Sequence, residues 1–217
     1  KAETPVVIRT MVGAGINAAA QHSQMLTAIF THIPGLKVVC PSNPYDAKGL
    51  LIQSIRDNDP VIFCEHKSLY GVEGEVSEES YVIPFAEANV MRDGGDATIV
   101  AYGMMVGKAM DAAKTLAKEG VECDVIDLRT LSPIDMETVL ESVENTGRLV
   151  VVDESNPRCS IATDVSAQVA QQAFKSLKAQ IEMVTAPHTP VPFTTTLEDL
   201  YIPSAEQVAD AVRKTFN

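Results

Sequence analysis

No run of about 18 apolar residues occurs anywhere in the chain, which argues against a membrane-spanning helix. The opening KAETPVVIRT lacks the basic-then-apolar layout of a secretory signal, so a cytoplasmic protein is expected. Positive charge is scarce: 17 Lys and Arg against 29 Asp and Glu leave a net charge of −12. Nucleic-acid binding needs clustered cations to displace counterions, so that class is disfavoured and basic protein partners are favoured. The four cysteines, Cys40, Cys64, Cys123 and Cys159, form no C-x-x-C pair. Neither a zinc site nor a disulfide framework is suggested, and reduced, buried thiols are expected. There is no low-complexity tract, and 46% apolar with 21% charged residues is the composition of an ordinary folded domain. A chain of 217 residues makes one large or two modest domains and buries roughly 70% of its unfolded surface.

What is present alternates. PVVIR (5 to 9) and KVVC (37 to 40) are β-branched runs, and between them Leu26, Ile29, Phe30 and Ile33 fall at helical spacing. After Cys40, Ser42 or Asn43 can cap a helix with Pro44 in its first turn and Ala47, Leu50, Leu51 and Ile55 on one face. VIFCE (61 to 65) follows as a strand. The acidic, glycine-containing GVEGEVSEES (71 to 80) has no periodicity and marks a boundary. Beyond it, strands at 97 to 102, 123 to 128, 148 to 154 and 181 to 185 alternate with helices through Val106 to Leu116, around Val139 to Val143 and near 161 to 174. Ser204 with Gln207 is a capping-box pair opening a last helix. The pattern predicts an α/β fold with mostly parallel sheets. The first unit enters directly on a strand, so an uncovered strand edge is expected at Val6 to Ile8, as in a truncated domain.

Three features are candidates for chemistry. Gly13, Gly15 and Ala18 match G-x-G-x-x-A, a permitted dinucleotide-binding fingerprint, but no amphipathic helix follows at once and no acidic residue stands about twenty positions on. His22, in Gln21-His22-Ser23-Gln24, reads either as a structural residue at a helix start or as a proton carrier, since imidazole exchanges protons near neutral pH. The loop IRDNDP (55 to 60) clusters carbonyls and carboxylates at a helix end, where a cation or only solvent can be held. There is no G-x-S-x-G elbow, Ser23 is not placed for attack merely by adjoining His22, and His32, His66 and His188 show no metal-ligand spacing.

Longer stretches carry a resemblance. PVVIRTMVGAGINAAAQHSQ, HIPGLKVVCPSNPYDAKGLL, IRDNDPVIFCEHKSLYG, VIDLRTLSPIDMETVLESVENTGRLVVVDE and TPVPFTTTLEDLYIPS together resemble the beta subunits of bacterial thiamine-diphosphate dehydrogenases that feed a lipoyl-bearing acyltransferase. That family comprises the pyruvate, branched-chain 2-oxo acid and acetoin enzymes, and DESNPRCSIATDVSA with TAPHTPVPF is most similar to its acetoin members. The resemblance implies the C-terminal part of a transketolase-like pyrimidine-binding domain at 1–72, a linker at 73–86 and a transketolase C-terminal-like domain at 87–217. It implies thiamine diphosphate shared with an alpha subunit, which would also hold magnesium. A second beta subunit and a dihydrolipoamide acyltransferase are the further partners. The glutamate that contacts the aminopyrimidine has no counterpart in this sequence, and Gly94-Gly95-Asp96 runs into Ala97 rather than a G-D-G motif.

Within the family's pattern, His22 matches the histidine that enters the active-site cavity. Val6, Ser54, Ile55, Asp57 and Asp59 match a loop whose backbone carbonyls hold potassium. Asp59 departs from the asparagine common there, and Lys178 stands where an acidic residue is frequent on the surface that meets the acyltransferase. Three rivals follow from these readings: a pyruvate or branched-chain form, a nucleotide-binding oxidoreductase built on Gly13 and Gly15, and an assembly fragment without activity of its own.

Overall fold

A computed structural model describes residues 3–217. The first sheet takes β1 (Val7–Val12), β2 (Lys37–Val39) and β3 (Val61–His66) in the order β1-β3-β2, all parallel. Pairing decides where β1 lies: Val7 stands opposite Val61 and Val12 opposite His66. The strand therefore starts and ends later than the run at 5 to 9 suggests. β1 is the sheet's edge, with Ile8 and Met11 exposed. Two short helices, α1 (Ala20–Ser23) and α2 (Thr27–Thr31), join β1 to β2. Ile29 and Ile33 are exposed, so the predicted apolar face there is only partly buried. The helix between β2 and β3, α3 (Pro44–Arg56), begins as expected: Asn43 accepts from the Asp46 amide at 2.9 Å, and Pro44 is its first residue. Leu50 is buried, whereas Ile55 faces out.

The second sheet has the order β4-β6-β5-β8-β9, from β4 (Asn89–Arg92), β5 (Ala97–Ala101), β6 (Cys123–Asp127), β8 (Leu149–Asp153) and β9 (Glu182–Thr185). All pairs are parallel except β4 with β6. α4 (Met104–Ala117) and α8 (Ala205–Lys214) cover one face, packing Val106, Leu116, Val208 and Val212 onto Ile99, Val125 and Val150. The other face carries α5 (Met136–Thr146) and α6 (Ile161–Gln172). The capping box of Ser204 and Gln207 opens α8. Lys178 donates to the Thr146 carbonyl at 3.0 Å, where a cation suits the end of α5.

The two sheets share material. Between β6 and α5 the chain forms β7 (Thr130–Ser132), which pairs antiparallel with β2 and becomes the fourth strand of the first sheet. One hydrophobic cluster joins Val12, Val38, Ile62 and Cys64 of the first sheet to Val100, Ile126 and Val151 of the second. Across this seam Arg129 makes a two-pronged pair with Asp46, at 3.0 and 2.7 Å, with both side chains nearly buried. Ser42 donates to the fully buried Asp127, which also accepts from the Arg129 amide at 3.0 Å. Three cysteines are buried as expected. Cys159 is not: it sits exposed with a φ of 51° in the turn before α6, which overturns the expectation for that thiol.

Burial pushes the Asp127 carboxyl up from 3.8 to about 7, against the lowering effect of Ser42 and the Arg129 amide. The folded state therefore keeps a proton that the unfolded state has lost over that interval, and ionising Asp127 weakens the fold as pH rises. Urea titrations should show stability falling between pH 4 and 7 more steeply in the parent than in Asp127→Asn. Equal slopes would contradict the assignment.

Candidate functional site

β1 delivers the chain at Gly13 to the carboxyl ends of β5 and β8. Those two strands are neighbours in the second sheet, and β6 lies beyond β5 on the other side, so the connections diverge there. Such a switch point is where open α/β sheets take ligands. Here the crevice is filled by the first sheet's own loop.

Glu154, 1% exposed just past β8, accepts from the Ala14 amide at 2.6 Å and contacts His66 Nε2 at 2.7 Å. His66 Nδ1 accepts from the Ser68 amide at 3.2 Å, so the ring carries its proton on Nε2 and donates it to Glu154. Ser68 Oγ returns a hydrogen bond to the Ala14 carbonyl at 2.9 Å. A second buried carboxylate, Glu198 of α7 (Thr195–Tyr201), takes two further amides: Gly15 at 2.9 Å and Asn17 at 2.8 Å, with Asn17 Nδ2 at 3.0 Å. Lys67 Nζ is buried nearby without a hydrogen-bond partner among the described residues. Burial lowers its pKa, and the nearby charges of Glu154 and Glu198 offset only part of that shift.

The far end of the loop is held as well. The Gly13 amide donates to the Gln24 carbonyl at 3.3 Å, closing residues 13 to 24 into one loop. Thr27 Oγ1 lies 3.1 Å from Tyr102 OH, which donates to buried Asp153 at 2.6 Å. Burial raises the Asp153 carboxyl and pushes the Tyr102 hydroxyl well above its ordinary value.

His22 lies exposed on α1, at the crown of this loop. Asn17 and Ala19, just before it, have φ of 56° and 59°. The side chain of Ser23 is turned inward, its Oγ without a hydrogen-bond partner among the described residues. Val6, Ser54, Ile55, Asp57 and Asp59 lie at the opposite end of β1, and six residues of strand separate the two places by about 20 Å. At that end Lys37 Nζ meets the Asp57 carboxylate at 2.6 Å and Asp59 at 3.6 Å. The Val6 carbonyl accepts from Val61 at 2.9 Å and the Ser54 carbonyl from Asp57 at 3.3 Å.

The nucleotide reading of Gly13, Gly15 and Ala18 loses its basis. A fingerprint loop offers free amides and a helix N-terminus to a diphosphate. The amides of Ala14, Gly15 and Asn17 are held by carboxylates, and α1 has four residues. Among the described residues, no group of three His, Cys, Asp or Glu could hold a metal ion, and no helix is long and apolar enough to cross a membrane. His32 lines a separate groove of about 860 Å³ with Ile29, Pro133 and Cys159. Glu154, Glu198 and the buried His66 were not anticipated as site residues. The one sequence signal was an acidic pair, Asp153-Glu154, at the end of a strand in a parallel sheet.

The family profile described as "Transketolase, C-terminal domain" matches residues 86–208, and "Transketolase, pyrimidine binding domain" matches residues 1–73. The chain is 77% identical to the acetoin:2,6-dichlorophenolindophenol oxidoreductase subunit beta of Cupriavidus necator, over 99% of this chain and 64% of the relative. It is 44% identical to the pyruvate dehydrogenase E1 component subunit beta of Bacillus subtilis, over 97% of this chain and 65% of the relative. The chain thus spans slightly less than two thirds of the length of these relatives. A solved structure described as "Split gene transketolase, inactive beta4 tetramer" superposes with a TM-score of 0.82 at 25% identity, covering 98% of this chain and 67% of that one.

Gly13 adopts a φ of 88°, and a Cβ there would fall 2.0 Å from His66 Nε2. Gly13→Ala should therefore destabilise the fold by about 3 kcal/mol in urea titrations, combining backbone strain with loss of the His66 contact. Gly35→Ala is the control: its φ is 95° but nothing lies within 4 Å, so about 1 kcal/mol is expected. Equal losses at the two positions would remove the case for a tight His66 seat.

Proposed function

Because the chain belongs to the transketolase family through its pyrimidine-binding and C-terminal domains, we propose that it serves in the beta subunit of a thiamine-diphosphate-dependent acetoin dehydrogenase. That enzyme cleaves acetoin and passes the acetyl unit to a lipoyl group of an acyltransferase. The observation that carries the choice is the margin between 77% identity to an acetoin-acting subunit and 44% to a pyruvate-acting one, over nearly the same residues. The pyruvate or branched-chain reading fits less well.

The glycine loop does not offer its amides to a diphosphate, since they are taken, and His22 stands exposed. We assign thiamine diphosphate and its magnesium to a cleft completed with an alpha subunit. A second beta subunit and the basic face of the acyltransferase are the other partners, the latter favoured by the net charge of −12. Thiamine diphosphate supplies carbanion stabilisation when bound. The contribution of this chain is His22, whose imidazole nitrogen moves a proton during handling of the two-carbon unit or its transfer to the lipoyl group.

In a full-length beta subunit carrying this sequence and assembled with its alpha subunit, His22→Ala should slow at least one of the two partial reactions by about a hundredfold, within the usual range for general acid-base groups. Normal rates in both would rule the role out. For the loop at Val6, Ser54, Ile55, Asp57 and Asp59 we propose structural potassium held by backbone carbonyls, each of which has a second lone pair beyond any hydrogen bond it already accepts. Potassium should raise the thermal midpoint more than choline at equal ionic strength. Indifference to the cation would remove that site.

A further inference from the structure

The loop that carries His22 is clamped at one end by Glu198 of α7 and at the other by Tyr102, just past β5, and its crown is exposed. At its start, Glu198 takes the amides of Gly15 and Asn17 together with Asn17 Nδ2. At its end, Tyr102 holds Thr27 and is itself anchored on Asp153. Between these points Asn17 and Ala19 keep left-handed backbone that side-chain-bearing residues adopt only at a cost of about 1 to 3 kcal/mol each, sustained when the surroundings over-determine it. The helix α1 has only four residues, of which Gln21 and His22 are exposed, and no side-chain cap, so local helix stability does not hold His22 in place. The clamps can do so.

We propose that Glu198 and Tyr102 are positioning residues for His22: two side chains, one from α7 and one from just past β5, seated at the switch-point crevice, fix where the imidazole stands relative to the reacting atoms. The crevice that in related sheets receives a ligand here receives the stem of a catalytic loop. This inference rests on the proposed role of His22, and it deepens that role by naming what aims the ring. A displacement of about 1 Å at a reacting group costs up to about a hundredfold in rate. Loosening either clamp should therefore lower kcat without a matching change in KM.

The test is a double-mutant cycle in the assembled alpha-beta holoenzyme, with acetoin as substrate and free lipoamide as acceptor. Glu198→Gln and Tyr102→Phe each keep size and shape while weakening one clamp. Each should lower kcat by about tenfold or more with KM for acetoin within about twofold, and either change combined with His22→Ala should be no slower than His22→Ala alone. Should Glu198→Gln fail to assemble, Tyr102→Phe carries the same cycle at the other end of the loop. Retention of kcat within about twofold in the clamp variants, or a double variant that loses the product of the two separate factors, would overturn the positioning role. If His22→Ala alone runs at the parental rate, the reading of His22 fails and the positioning role with it. A loss in Glu198→Gln under that outcome would mark a structural effect only.

Discussion

The carboxylate of Glu154 lies where two parts of the molecule must agree. It receives the Ala14 amide from the loop after β1 and the Nε2 proton of His66 from the end of β3, and it belongs to the strand end of the other sheet. A carboxyl group removed from water is tolerated only when its oxygens are hydrogen-bonded, so each of these contacts depends on the others. Glu198 repeats the arrangement one residue further along the loop. Together they turn a glycine-rich turn that resembles an anion-binding loop into one already satisfied from within.

The two sheets are consequently joined along one seam. A shared apolar cluster, the Arg129 pair with Asp46, and β7 crossing over to join β2 all bind the same seam. Breaking a buried pair by removing one partner costs about 3 to 5 kcal/mol, far more than an exposed ion pair contributes. Under the proposed role of His22 this matters because the loop that carries it is held by Glu198 of α7 and Tyr102 at the end of β5, while the strand that leads to it belongs to the first sheet. A loop anchored to one sheet alone would inherit that sheet's movement.

Much of the fold was legible in the sequence because it rests on local signals. The strand and helix alternation, the Asn43 cap with Pro44, and the Ser204 box all act within four residues. The edge strands β4 and β7 were not legible, being three or four residues long and defined only by distant partners. The same holds for the site. Glu154 and Ala14 are 140 residues apart and Glu198 and Gly15 are 183 apart, so no spacing rule connects them. His22 stood out only through family resemblance, since its own surroundings offer a lone exposed imidazole on a four-residue helix. Cys159 shows the reverse failure: composition favoured burial, but a left-handed turn placed the thiol outside.

Hydrogen exchange at single amides tests the central claim most directly, because the claim concerns three N–H groups on what is otherwise a surface loop. If Glu154 and Glu198 hold the loop, the amides of Ala14, Gly15 and Asn17 should exchange as slowly as those of β8, opening only with the whole structure. Exchange at those amides as fast as in the exposed segment at 73–80 would contradict the account. The loop would then be free of its clamps.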